Sequence, residues 1–201
     1  MKKKVLVTRK LLKENEEKLK ELFDVKLNIQ DELYTSEKIL ELSKDCDGIL
    51  SAITDQINKD LIEKLSPTVK IIANFAVGFG NIDINAATKK NIVVTNTPEV
   101  LDDSTADISI LLLLGASRKV LEARRAAELQ NWKWSADFML GKQMSNKRLG
   151  ILGMGRIGRA VAKRARGFNM EIHYHNRSQL SKDLEEGAIY HKTVKDLFNC
   201  S

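Results

Sequence analysis

Apolar positions fall into short runs split by charged, amphipathic stretches. VLVT (5–8), DVKLNI (24–29), GILSAI (48–53), VKIIANFAV (69–77) and IVVTNT (92–97) are apolar or β-branched and predict strands. Between them, LLKENEEKLKELF (11–23), SEKILELSK (36–44), INKDLIEKL (57–65) and DINAATKKN (83–91) predict helices. Ser36 is the expected cap of the second of these. Strands spaced by helices call for a parallel sheet covered on both faces. This α/β pattern defines a first domain over residues 1–97. No repeat at solenoid periods is visible.

A Pro turn at Pro98 then leads into a long helix, expected over about 104–130, with S-T-A-D (104–107) as a capping box. It links to a second domain over 98–201. The run ISILLLLGA (108–116) is too short to span a bilayer and predicts a buried helix. A strand (149–152), a helix closed at Gly167, a strand (170–175), a short strand near 188–190 and a last helix in TVKDLFNC follow.

Chemistry concentrates at the first turn of this second half. Gly153-Met154-Gly155-Arg156-Ile157-Gly158 is a G-x-G-x-x-G between a strand and a helix, the setting a dinucleotide fingerprint requires. Gly153 permits the turn, Gly155 lets a pyrophosphate approach the backbone, and Gly158 lets helix and strand pack closely. The helix N-terminus offers N–H groups and a positive dipole end to phosphates.

About 20 residues on, such a fold usually offers a carboxylate to the ribose. Here the segment reads Asn176, Arg177, Ser178. Arginine can pair with a 2′-phosphate in a bidentate way, so the cluster points to NADPH as preferred cofactor, with NADH as the second. The alternative is a plain surface arginine in a cofactor-tolerant site. His173 and His175 share one strand face, and without a third ligand nearby they are expected to pack rather than hold a metal.

Composition changes this picture little. The 201 residues are 43% hydrophobic and 30% charged, an ordinary globular balance. Net charge is +6, but lysines alternate with glutamates on helix faces, and aromatics are only 5%. That pattern argues against nucleic acid as a partner. MKKK is followed by no continuous apolar segment, so a first strand rather than a leader is expected, and no membrane association. Two cysteines, Cys46 and Cys200, make no disulfide framework and fit a reducing, cytoplasmic setting.

Taken together, AVGFGNID, VTNTPEVLDDSTAD, LGILGMGRIG and NRS resemble the D-2-hydroxyacid dehydrogenase family, most nearly its glyoxylate/hydroxypyruvate reductase branch. The resemblance covers almost the whole chain. It implies a flavodoxin-like substrate domain followed by the first half of a Rossmann NAD(P)-binding domain. It also implies a homodimer that reduces a small 2-oxoacid.

By this resemblance the backbone N–H groups of Val77 and Gly78 hold the substrate carboxylate, which the glycines at 78 and 80 independently allow. Ile53 flanks the substrate and Thr105 lies near the nicotinamide. Trp134, with Trp132 second, reaches a partner subunit's site; the alternative is ordinary packing. The family's catalytic arginine, glutamate and histidine have no counterpart here: no T-P-H and no acidic F-E-x-E-P segment occurs. Strands 4 to 6 of a Rossmann sheet are likewise unmatched. The expectation is therefore a C-terminally truncated reductase that is inactive alone. Two alternatives stay open: a non-catalytic dinucleotide-binding or dimerisation module, and an enzyme for another 2-hydroxy acid such as phosphoglycerate or lactate.

Overall fold

The computed structural model describes residues 1–130 and 132–200. The chain divides into two compact units, Met1–Glu99 and Val100–Ser201.

In the first unit, five parallel strands, β1 (Lys4–Val7), β2 (Asp24–Lys26), β3 (Gly48–Ala52), β4 (Ile71–Phe75) and β5 (Val93–Thr95), form one sheet in the order β2-β1-β3-β4-β5. This is the flavodoxin-like order. Its register aligns Leu6, Ile49, Ile72 and Val94 in one row across four strands. Helices α1 (Lys13–Leu22), α2 (Ser36–Ser43), α3 (Lys59–Lys64) and α4 (Ile84–Lys89) connect the strands. Ile39, Leu61, Ile62 and Ala87 join that row in the core.

Local chemistry fixes where three of these helices start. Asn58 and Asp83 accept hydrogen bonds from Leu61 N–H and Ala86 N–H, each satisfying an otherwise orphaned donor. For α2 the cap is Thr35, whose hydroxyl accepts from Lys38 N–H, not the expected Ser36, which is the first helical residue. Both residue types cap well, and extended backbone at Thr35 (φ −74°, ψ 164°) decides between them.

The second unit holds α5 (Asp102–Ser117), α6 (Val120–Leu129), β6 (Arg148–Leu152), α7 (Arg156–Arg166), β7 (Glu171–His175), α8 (Lys182–Glu185), β8 (Ile189–Tyr190) and α9 (Val194–Cys200). The parallel sheet β6-β7-β8 is the 1-2-3 half of a Rossmann sheet. Met154, Ala162, Ala165, Met170, Ile172 and Tyr174 form its core. The Tyr174 hydroxyl is satisfied twice, donating to Glu185 and accepting from Leu180 N–H. As expected, α7 closes at Gly167.

Three expectations about the linking helix need correction. It is two helices, broken where Lys119 adopts a left-handed conformation (φ 53°, ψ 44°) that no helix interior accommodates. It starts at Asp102, so Ser104 lies inside it and donates to Leu101 O rather than capping. The apolar run is not buried either. Of α5 only Ala106 is fully covered, whereas Ile108, Leu111 and Leu112 are 55%, 61% and 66% exposed. α5 packs one face on α7, where Arg164 pairs with Asp103 and Asp107, and leaves its other face open.

Candidate functional site

In the first unit, the predicted substrate residues sit at the C-terminal ends of neighbouring strands. Ile53 lies in the turn after β3, and Val77 and Gly78 lie in the loop after β4. Buried Asn74, which sequence reasoning missed, ties these loops together. Its amide donates to Gly78 O (2.9 Å) and to Asn81 Oδ1 (3.1 Å), and its Oδ1 accepts from Ser51 (3.1 Å). Asn81 in turn donates to Ala52 O and Asp55 O. Asn96 donates to Val77 O (2.8 Å).

The carbonyls of Val77 and Gly78 are thus drawn inward. Among the described residues no acceptor takes their N–H groups. Nothing lies within 4 Å of where a Cβ on Gly78 would stand. Two successive backbone amides without an acceptor, beside open space at Gly78, can receive an anion. Ile53 is 53% exposed on the neighbouring turn, which Asp55 braces by accepting from Ala52 N–H and Thr8. The signal for Asn74 was a polar residue amid an apolar strand. A cleft of about 570 Å³ beside β5, lined in part by Phe79, Ile84 and Val93, contains none of the predicted site residues.

In the second unit, the glycine turn joins β6 to α7 as the sequence requires. Gly153 has φ +98°, a conformation only glycine adopts without strain. A Cβ on Gly158 would stand 2.3 Å from Gly153 O, so helix and turn touch backbone to backbone. Gly155, the cap residue of α7, has open space above it and no side chain to occupy the helix end. A pyrophosphate therefore fits this turn, with the helix dipole favouring its charge.

The turn opens into a cleft of about 540 Å³ lined by residues 152–155, 175–178, Leu180 and Val194. Gly153, Gly155, Asn176, Arg177 and Ser178 all line it. Met154 contributes only backbone, since its side chain is wholly buried in the core. Arg156 and Ile157 form the first turn of α7. Asn176 is half-buried at the cleft, and its Oδ1 accepts from Met154 N–H at 2.6 Å. Arg177 is exposed and has no ion-pair partner among the described residues.

Thr105 is the fourth residue of α5, half-buried, with its carbonyl accepting from Ser109. Trp132 stacks on Phe138 at 5.8 Å, whereas Trp134 is 82% exposed. His173 is buried, and His191 and Cys200 stand beside it. His175 turns instead to His191 O (2.8 Å) and stacks on Tyr190.

Residues 5–192 match the family model for the catalytic domain of D-isomer specific 2-hydroxyacid dehydrogenases. The chain belongs to that family. A glyoxylate reductase of Korarchaeum cryptofilum is 44% identical over 190 residues, spanning 92% of this chain and 57% of that protein. A crystal structure of a glyoxylate reductase from Paecilomyes thermophila superposes with a TM-score of 0.81 at 34% identity, over 100% of this chain and 63% of that one. An NADPH-dependent glyoxylate/hydroxypyruvate reductase from Sinorhizobium meliloti, crystallised with citrate, gives 0.80 at 28% identity, over 97% and 60%. The chain thus spans about 60% of the length of these relatives. Both sheets agree with the fold of those structures. Among the described residues no helix is long and apolar enough to cross a membrane.

Proposed function

We propose that the chain carries the anion-gripping and dinucleotide-binding parts of a reductase that converts a 2-oxoacid, glyoxylate or hydroxypyruvate, to the 2-hydroxy acid. NADPH is its preferred cofactor and NADH a weaker one. The observation that carries this reading is Arg177, an unpaired guanidinium on the rim of the glycine-turn cleft where a carboxylate would repel a 2′-phosphate. Val77 and Gly78 N–H would hold the substrate carboxylate, Ile53 would limit its bulk, and Thr105 would stand by the nicotinamide. The cofactor, when bound, supplies the hydride.

Protonating the carbonyl needs a positioned acid. His173, His175 and His191 are all engaged with one another or with backbone in the second unit, so none is offered for that role. We therefore read the acid–base work as lying outside these 201 residues. A positioned acid is typically worth about 10²–10⁴-fold in rate, so negligible turnover is expected from this polypeptide. Cys46 and Cys200 form no disulfide among the described residues, which suits a cytoplasmic setting.

Glyoxylate- and hydroxypyruvate-dependent oxidation of NADPH by the purified 201 residues tests this. The expected result is cofactor binding without turnover. Robust turnover would refute the assignment of the acid, and faster turnover of lactate or phosphoglycerate substrates would refute the substrate class.

A second reading, a dimerisation module without catalysis, draws on one observation. Ile108, Leu111 and Leu112 form an i, i+3, i+4 stripe on the open face of α5. A dimer accommodates this stripe in either reading.

A further inference from the structure

Three side chains that the dinucleotide cleft does not use converge elsewhere in the second unit. His173 sits on β7, His191 directly follows β8, and Cys200 ends α9. His173 Nδ1 and His191 Nε2 are 2.9 Å apart. Cys200 Sγ lies 3.4 Å from the first and 3.3 Å from the second. We infer that His173, His191 and Cys200 form a binding site for one zinc-class divalent ion.

The triangle has the right size. With bonds of about 2.0 Å to nitrogen and 2.3 Å to sulfur, a tetrahedral ion separates its ligands by about 3.3 Å (N–N) and about 3.5 Å (N–S). All three observed edges fall within about 0.4 Å of these values. Two imidazoles and a thiolate are a donor set that selects zinc over magnesium or calcium. A hydrogen bond between the two rings would explain the shortest edge alone. It does not call for a sulfur atom placed against both nitrogens.

Glu171 supplies an independent sign. Its carboxylate lies against His173 Nε2. That contact places the ring proton on Nε2 and turns the Nδ1 lone pair toward His191 and Cys200. A carboxylate behind a ligating histidine is the usual outer partner of a metal site. On binding, the Cys200 S–H bond, now directed at Leu197 O, breaks; its proton goes to solvent and sulfur binds the ion. Both imidazoles bind as neutral ligands, and water takes the fourth position.

The ligands come from a central strand, a loop and the terminal helix. The ion therefore fastens α9 to the sheet, where Leu197 is already buried and Arg148 donates to Cys200 O. None of the three ligands lines the glycine-turn cleft.

Cobalt(II), which takes zinc sites and reports thiolate ligation by a charge-transfer band, tests this on the metal-stripped chain. One equivalent should bind with that band, and zinc should displace it. Cys200→Ser should abolish the band, and Cys46→Ser should leave it. Glu171→Gln should weaken binding about tenfold or more while circular dichroism stays unchanged. Zinc should raise the thermal midpoint of the native chain but not of His191→Ala. No thiolate band, a band that survives Cys200→Ser, or a midpoint indifferent to zinc would overturn the assignment.

Discussion

Asn176, one residue past the end of β7, accepts a 2.6 Å hydrogen bond from the backbone N–H of Met154 inside the glycine turn. The residue beside the expected ribose position is therefore a brace for the phosphate turn. Removing it strands a part-buried N–H, which costs about 1–3 kcal/mol. Asn176→Ala should weaken NADPH and NADH by a similar factor in binding titrations. A loss confined to one cofactor would mean that Asn176 reads the ribose directly.

Gly158→Ala should destabilise the second unit. The new Cβ would meet Gly153 O at 2.3 Å, and backbone cannot yield as a side-chain tip can. Overpacking of this kind costs about 1–3 kcal/mol. Urea denaturation should show the loss, with dinucleotide affinity falling alongside it. An unchanged midpoint would show that α7 can slide on β6.

Much of this was legible in the sequence because it depends on short spacing. The alternation of apolar runs and amphipathic stretches located all the strands, and the Gly153–Gly158 turn stood out by its glycines alone. What failed depends on three-dimensional context. Lys119 breaks the linking helix with a backbone conformation that lysine does not advertise. The stripe at Ile108, Leu111 and Leu112 reads the same whether it faces a core or a surface, so burial was wrongly expected. His173, His191 and Cys200 come from three elements with no motif spacing, and only the β7–β8 register and the seating of α9 bring them together.

Acid should release one tie in the first unit. Arg9, with help from Lys10 N–H, holds the Asp31 carboxyl down at about 2 from an ordinary 3.8. A lowered carboxyl stabilises the fold above its unfolded value and loses that contribution as pH falls toward its folded one. Urea midpoints should therefore drop between about pH 4 and pH 2, less steeply in Asp31→Asn. The pair is partly exposed, so salt should shrink the difference. Equal slopes in both proteins would contradict the assignment.

The open face of α5 predicts a dimer. Three neighbouring apolar side chains, each more than half exposed, are the kind of patch that marks an association surface. Sedimentation should give twice the 22.7 kDa chain mass, and Leu112→Asp should return it to a monomer with unchanged circular dichroism. A native chain that sediments as a monomer would remove the support for Trp134 acting in a partner's site.

The most direct test is a titration of the chain with NADPH and with NADH, repeated on Arg177→Ala. A charge-assisted pair to the 2′-phosphate is worth about 1.5–3 kcal/mol, which is roughly tenfold or more in affinity. The account predicts tighter binding of NADPH by the native chain, and a variant in which that advantage disappears while NADH affinity holds. Equal affinities in the native chain, or a preference that survives Arg177→Ala, would contradict it.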